Sequence, residues 1–111
     1  MENEKEMTKV AFIMAETIIT GSIIMNKGKV HKNLPYVQNV SKKEFDVVCK
    51  TLGNNIVTKD VDVFNDILCN VLEKRLDYYY AEGFTEERDD HFYFFTNDEL
   101  NDKNEELYGQ D

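Results

Sequence analysis

Very few residues of this chain belong to types that usually carry catalysis. Its 111 residues include two histidines, His31 and His91, two cysteines, Cys49 and Cys69, and two serines, Ser22 and Ser41. His91 follows Asp89 and Asp90, and imidazole beside carboxylate is a donor set for a divalent cation. The plainer expectation is a histidine that opens a strand, because His91-Phe92-Tyr93-Phe94-Phe95 is an aromatic run. Neither HExxH, CxxC, a glycine-rich phosphate loop nor GxSxG occurs. Cys49 and Cys69 fall in apolar helical patterns, so both are expected as core thiols rather than nucleophiles or disulfide partners. The expectation is a protein without catalytic residues, cofactor or metal.

Carboxylates supply a sharper pattern. On a helix turning 100° per residue, Asp62, Asp66, Glu73 and Asp77 fall within a sector of about 60°. Asp62 and Asp66 then stand ~6 Å apart, as do Glu73 and Asp77. That spacing is of the same order as the charges along a nucleic-acid strand. Tyr78 and Tyr80 fall at the margins of the neighbouring apolar stripe, where tyrosine serves well as a contact residue. Glu86, Glu87, Asp89 and Asp90 extend the acidic density. These ten residues form the predicted partner-binding set.

The total charge of −9 is unevenly spread. Residues 1–59 carry nine lysines and six acids, whereas residues 60–111 carry four cations and sixteen acids, a local sum of −12. Such a surface repels nucleic acid and membranes and attracts basic protein surfaces. Lys27, Lys29, Lys32, Lys42 and Lys43 form a basic segment, but it lacks arginine and interleaved aromatics, so direct nucleic-acid binding is not expected.

Positioning these groups requires a folded scaffold. The length suits a single domain, and 41% hydrophobic residues with seven Phe and six Tyr supply its core. The expected class is α+β. Residues 9–25 are dense in Ile, Val, Phe and Thr, which favours strands, and Asn26-Lys27-Gly28-Lys29 supplies a turn. Val30–Val40 looks extended, with Pro35 steering Leu34 away from helix. An N-terminal antiparallel meander is therefore expected, the competing reading being a buried helix over residues 10–20. The stretch from Val10 to Met25 is broken by Glu16, Thr17, Thr20, Gly21 and Ser22, which makes it too short and too polar to span a bilayer.

Further on, Ser41-Lys42-Lys43-Glu44 reads as a capping box opening a helix to about Leu52, with Phe45, Val48, Cys49 and Leu52 on one face. Gly53-Asn54-Asn55 ends it, and Thr58 caps a longer helix running to Ala81 and stopping at Gly83. In that helix Phe64, Leu68, Leu72 and Leu76 recur at four-residue steps and should be core. Phe84–Asp90 reads as an acidic loop, residues 91–95 as a late strand, and Thr96-Asn97-Asp98-Glu99 as a second capping box. Residues 1–98 are read as one domain, with the small sheet packed on two helices, and 99–111 as an acidic tail or short helix.

Together these features point to a small acidic protein of the cell interior, bacterial or virus-infected. It would antagonise a nucleic-acid-handling protein by occupying its basic groove, in the manner of phage anti-host factors, anti-CRISPR proteins or immunity proteins. The alternative is a structural or adaptor subunit that acts through homo-oligomerisation, as a homodimer for example.

Overall fold

A computed structural model describes residues 2–51 and 61–108, with side chains placed for 4–51 and 61–103. The described elements are α1 (Glu2–Met25), β1 (Lys29–His31), α2 (Leu34–Val37), α3 (Lys42–Thr51), α4 (Val61–Ala81), β2 (Thr85–Arg88), β3 (His91–Phe94) and α5 (Asn97–Tyr108). The fold is α+β, mostly helical, with one small antiparallel sheet in the order β1-β3-β2.

The N-terminal meander is not formed: residues 9–25 belong to the single helix α1. Its buried row, Met7, Ala11, Ala15 and Ile19, recurs every four residues. That is a helical period, and it prevails over the β-branched composition of the solvent side. Ala11 and Ala15 are small enough to bring α1 close against α4, whose own buried row, Phe64, Leu68, Leu72 and Leu76, has the same period. All four predicted core residues of α4 are buried. The expected extended segment Val30–Val40 shrinks to the three residues of β1, and Pro35 sits in the first turn of α2, where its missing N–H costs nothing.

Helix α1 runs longer than the apolar stretch suggested. By length and composition alone it is the one helix among the described residues that could cross a membrane, with a mean hydropathy of 1.5 in its most apolar window. Its one mid-helix charge, Glu16, is engaged by Arg75 of α4 at 2.5 Å.

Local signals set the ends. Lys27 (φ 55°) and Gly28 (φ 89°) turn the chain out of α1, and Gly28 N–H donates to the Ile23 carbonyl at 2.8 Å. Gly28 is required twice over, since a Cβ there would lie 3.2 Å from the Phe94 carbonyl oxygen. At the other end of the core, Gly83 (φ 82°) closes α4. Its N–H reaches the Tyr80 carbonyl while Phe84 N–H reaches that of Tyr79, a Schellman motif.

Both capping boxes form. Ser41 Oγ accepts the Glu44 N–H at 3.2 Å, and Thr96 Oγ1 accepts the Glu99 N–H at 3.2 Å while Glu99 accepts the Thr96 N–H at 3.1 Å. The expected stop at Gly53-Asn54-Asn55, the cap at Thr58 and the core position Leu52 lie outside the described residues.

The connection between α2 and α3 is clamped. Asn65 of α4 accepts the Val40 N–H at 2.8 Å and donates back to the Val40 carbonyl at 3.0 Å. Phe45 of α3 then meets Phe64 with ring centroids 4.6 Å apart, joining α3 to the core.

The segment read as an acidic loop instead contains β2, which hairpins onto β3 through Asp89-Asp90. Asp89 takes φ 52°, a left-handed value that aspartate tolerates better than most residues. The late strand over 91–94 is present and is central, pairing with β1 on one side and β2 on the other.

Candidate functional site

Of the predicted stripe on α4, Asp62, Asp66 and Asp77 are exposed, while Glu73 is half-buried. Helix α2 packs beside α4 and brings Tyr36 near the Glu73 carboxylate. Hydrogen bonding towards Glu73, and then the carboxylate's charge, raise the Tyr36 phenol above its ordinary value. Tyr36 and Val37 are each 68% exposed. The stripe is therefore a row of carboxylates with an aromatic and aliphatic shoulder. Sequence reasoning missed that shoulder because it took Val30–Val40 as a strand; the signal was Pro35, which suits the first turn of a helix.

The two tyrosines paired in the sequence separate in space. Tyr80 lies on the stripe side and meets Phe92 of β3 at a centroid distance of 6.4 Å. Tyr78 lies on the α1 side, stacked under Arg75, whose guanidinium carbon is 4.5 Å from its ring centroid. The same guanidinium sits 4.8 Å from the Phe12 ring and 5.1 Å from that of Tyr79. It donates to Glu16 Oε1 at 2.5 Å, and Tyr79 donates to Glu16 Oε2 at 2.5 Å. Tyr78 thus belongs to an interhelical lock, not to the acidic face. Burial, and then the bond to Glu16, push the Tyr79 phenol up.

The hairpin acids divide likewise. Glu86 pairs with Arg88, and Glu87 with Lys32 next to β1. Both are neutralised within the fold. Asp89 and Asp90 form the exposed tip, and the Asp90 carbonyl accepts the Lys32 N–H at 2.8 Å. The cations of the acidic half are mostly engaged too: Arg75 with Glu16, Arg88 with Glu86, and Lys103 over the Phe95 ring at 4.1 Å. Lys74 remains as an exposed cation of α4. Asp62, Asp66 and Asp77 all face solvent.

His91 lies opposite His31 in the β1–β3 register, their rings edge to face at 4.8 Å, and His31 Nδ1 accepts the Asn33 N–H at 3.0 Å. Among the described residues no group of three or more His, Cys, Asp or Glu side chains is arranged to hold a metal ion. Cys49 is buried, and burial followed by Asp46 raises its thiol. Cys69 is half-buried rather than fully in the core; burial, then Glu73 and Asp66, raise its thiol as well. Raised thiols hold little thiolate at neutral pH.

No protein-family model, curated protein or solved structure matches this chain.

Proposed function

We propose that this protein acts by binding rather than catalysis, presenting the outer face of α4 to a basic protein surface and occluding it. The favoured partner is a nucleic-acid-handling protein inside a bacterial or virus-infected cell, which would make the chain a phage-type or immunity-type antagonist. One observation carries the reading: Asp62, Asp66 and Asp77 stand exposed along one rigid helix while Arg75, the strongest cation of that helix, is turned inward to Glu16. A fixed row of charge steers association and meets a groove built for a phosphate backbone without a catalytic group. Tyr36, Val37 and Tyr80 supply exposed apolar area beside that row, and buried aromatic anchors generally contribute more affinity than rim charges.

The test uses the full chain and the variant Asp62→Lys, Asp66→Lys, Glu73→Lys, Asp77→Lys. Immobilised wild-type protein should retain a nucleic-acid-binding protein from a lysate of the native host, release it as salt rises, and compete with DNA or RNA for it. The reversed variant, its helix content checked by circular dichroism, should retain none. Equal retention by both proteins would show that the stripe is only solvated surface.

A further inference from the structure

Both histidines of the chain stand on the sheet, apart from α4, and they stand together. His31 of β1 and His91 of β3 are register partners. Backbone hydrogen bonds flank them, from Phe94 N–H to the Gly28 carbonyl at 2.7 Å and from Lys32 N–H to the Asp90 carbonyl at 2.8 Å. Ladder bonds of an antiparallel pair fall on alternate partners, so His31 and His91 occupy a non-hydrogen-bonded position, where side chains approach most closely. Their rings meet with centroids 4.8 Å apart, His31 exposed and His91 half-buried. We propose that this pair is a surface site for a late divalent transition-metal ion (Cu²⁺, Ni²⁺ or Zn²⁺), bound by one nitrogen of each ring with water completing the coordination.

The ring spacing suits a shared ion. A metal about 2.0–2.1 Å from an imidazole nitrogen lies about 3.2 Å from the centre of that ring. Two such rings set about 90° to 109° apart at the ion, the angles of square and tetrahedral coordination, have centres about 4.5–5.2 Å apart. The observed 4.8 Å falls inside that interval. The terminal torsion of histidine is broad, so each ring can turn a nitrogen to the shared point while the strands stay in place. Imidazole donors favour these ions over Mg²⁺ and Ca²⁺, which take oxygen ligands.

The surroundings admit a cation. Asp89 and Asp90 precede His91 at the exposed hairpin tip, and the three line a polar depression of about 400 Å³ with room for water. Lys29 lines the same depression, and the two carboxylates offset its charge. Arg88, the register partner of His91 on β2, is drawn off by Glu86 and lies over the Tyr93 ring at 4.9 Å. The ion would staple β1 to β3. It would also be felt at Asn33, whose N–H donates to His31 Nδ1 at 3.0 Å. A metal at Nδ1 takes that lone pair, and a metal at Nε2 moves the ring proton onto Nδ1. Either mode removes the acceptor of the Asn33 N–H.

Calorimetric titration of the untagged full chain with copper, nickel, zinc and magnesium chlorides tests the site. Copper should bind at one ion per chain in the micromolar range, nickel and zinc more weakly, and magnesium not at all. His31→Ala and His91→Ala should each lower copper and zinc affinity by about tenfold or more, whereas Cys69→Ser should leave it unchanged. Zinc is diamagnetic, so NMR of the wild-type chain reads the site directly: the Asn33 amide and both imidazoles should shift together as zinc is added. Zinc should also raise the thermal midpoint of the wild type but not of either histidine variant, and EDTA should reverse the rise. Copper binding weaker than millimolar overturns the proposal. So does binding that persists undiminished in both histidine variants, or a zinc titration that leaves the Asn33 amide signal where it was.

Discussion

Arg75 shows how one side chain settles two questions. At 100° per residue it falls on the side of α4 away from Asp66, Glu73 and Asp77, so it does not neutralise the acidic row. Bound to Glu16 and Tyr79 and stacked on Phe12 and Tyr78, it fastens α1 to α4 instead. Stacking and bidentate reach are properties of a guanidinium that lysine does not share, so the site is not open to the conservative exchange. Thr85 presents the opposite case. It is 5% exposed at the start of β2, and its Oγ1 has no hydrogen-bond partner. A buried hydroxyl without a partner costs free energy, and valine fills nearly the same volume without it. Thr85→Val should therefore stabilise the fold by about 1 kcal/mol, read as a higher urea midpoint at unchanged slope. A lower midpoint would show that the hydroxyl is satisfied in solution.

The elements are held by a few cross-links as well as by the core, and Asn65 is the clearest. Its amide closes both hydrogen bonds of Val40, the buried residue between α2 and α3. Removing it strands a backbone donor and acceptor at a part-buried site, so Asn65→Ala should cost about 2 kcal/mol in urea denaturation. Asn65→Asp keeps the acceptor and loses the donor, and should fall between.

Nothing in sequence periodicity marks such a clamp, because its partners are 25 residues apart. Helix α4 was legible because its apolar steps are regular and its stop is a glycine. The two capping boxes were legible because they are local chemistry. Helix α1 was not: Ile18, Ile19, Thr20, Ile23 and Ile24 read as strand composition, while the deciding row passes through two alanines, Ala11 and Ala15, whose small size is informative only once α4 is beside them. Of the acidic row, Asp62, Asp66 and Asp77 are exposed on α4 and Glu73 is half-buried. Its shoulder at Tyr36 and the neutralisation of Glu86 and Glu87 depend on tertiary neighbours, Glu73, Arg88 and Lys32, that no spacing rule connects.

At the scale of the whole molecule, charge is segregated: the half from residue 60 onward sums to −12 and the half before it to +3. The fold therefore carries repulsion within one half, along α4 and towards the hairpin tip. Like charges four residues apart on a helix cost about 0.2–0.5 kcal/mol per pair, and Asp62–Asp66 and Glu73–Asp77 are two such pairs. Asp62 and Asp77 stand ~22 Å apart along the axis. They interact appreciably at 0.01 M salt, where the screening length is about 30 Å, and little at 0.1 M, where it is about 10 Å. Salt thus acts with opposite signs on the two properties. It weakens capture of a basic partner and strengthens the fold. Thermal unfolding should show the midpoint rising by about 3–6 °C between 0.01 and 0.1 M NaCl, the equivalent of roughly 1 kcal/mol for a domain of this size. The double variant Asp66→Asn, Asp77→Asn should begin with a higher midpoint at low salt and respond less to added salt, because it removes two of the charges being screened. A midpoint that is flat or falls with salt would mean that attractive pairs such as Glu16–Arg75, Lys32–Glu87 and Glu86–Arg88 outweigh the repulsion. The acidic half would then be electrostatically relaxed, without the unsatisfied negative potential that capture of a basic surface requires.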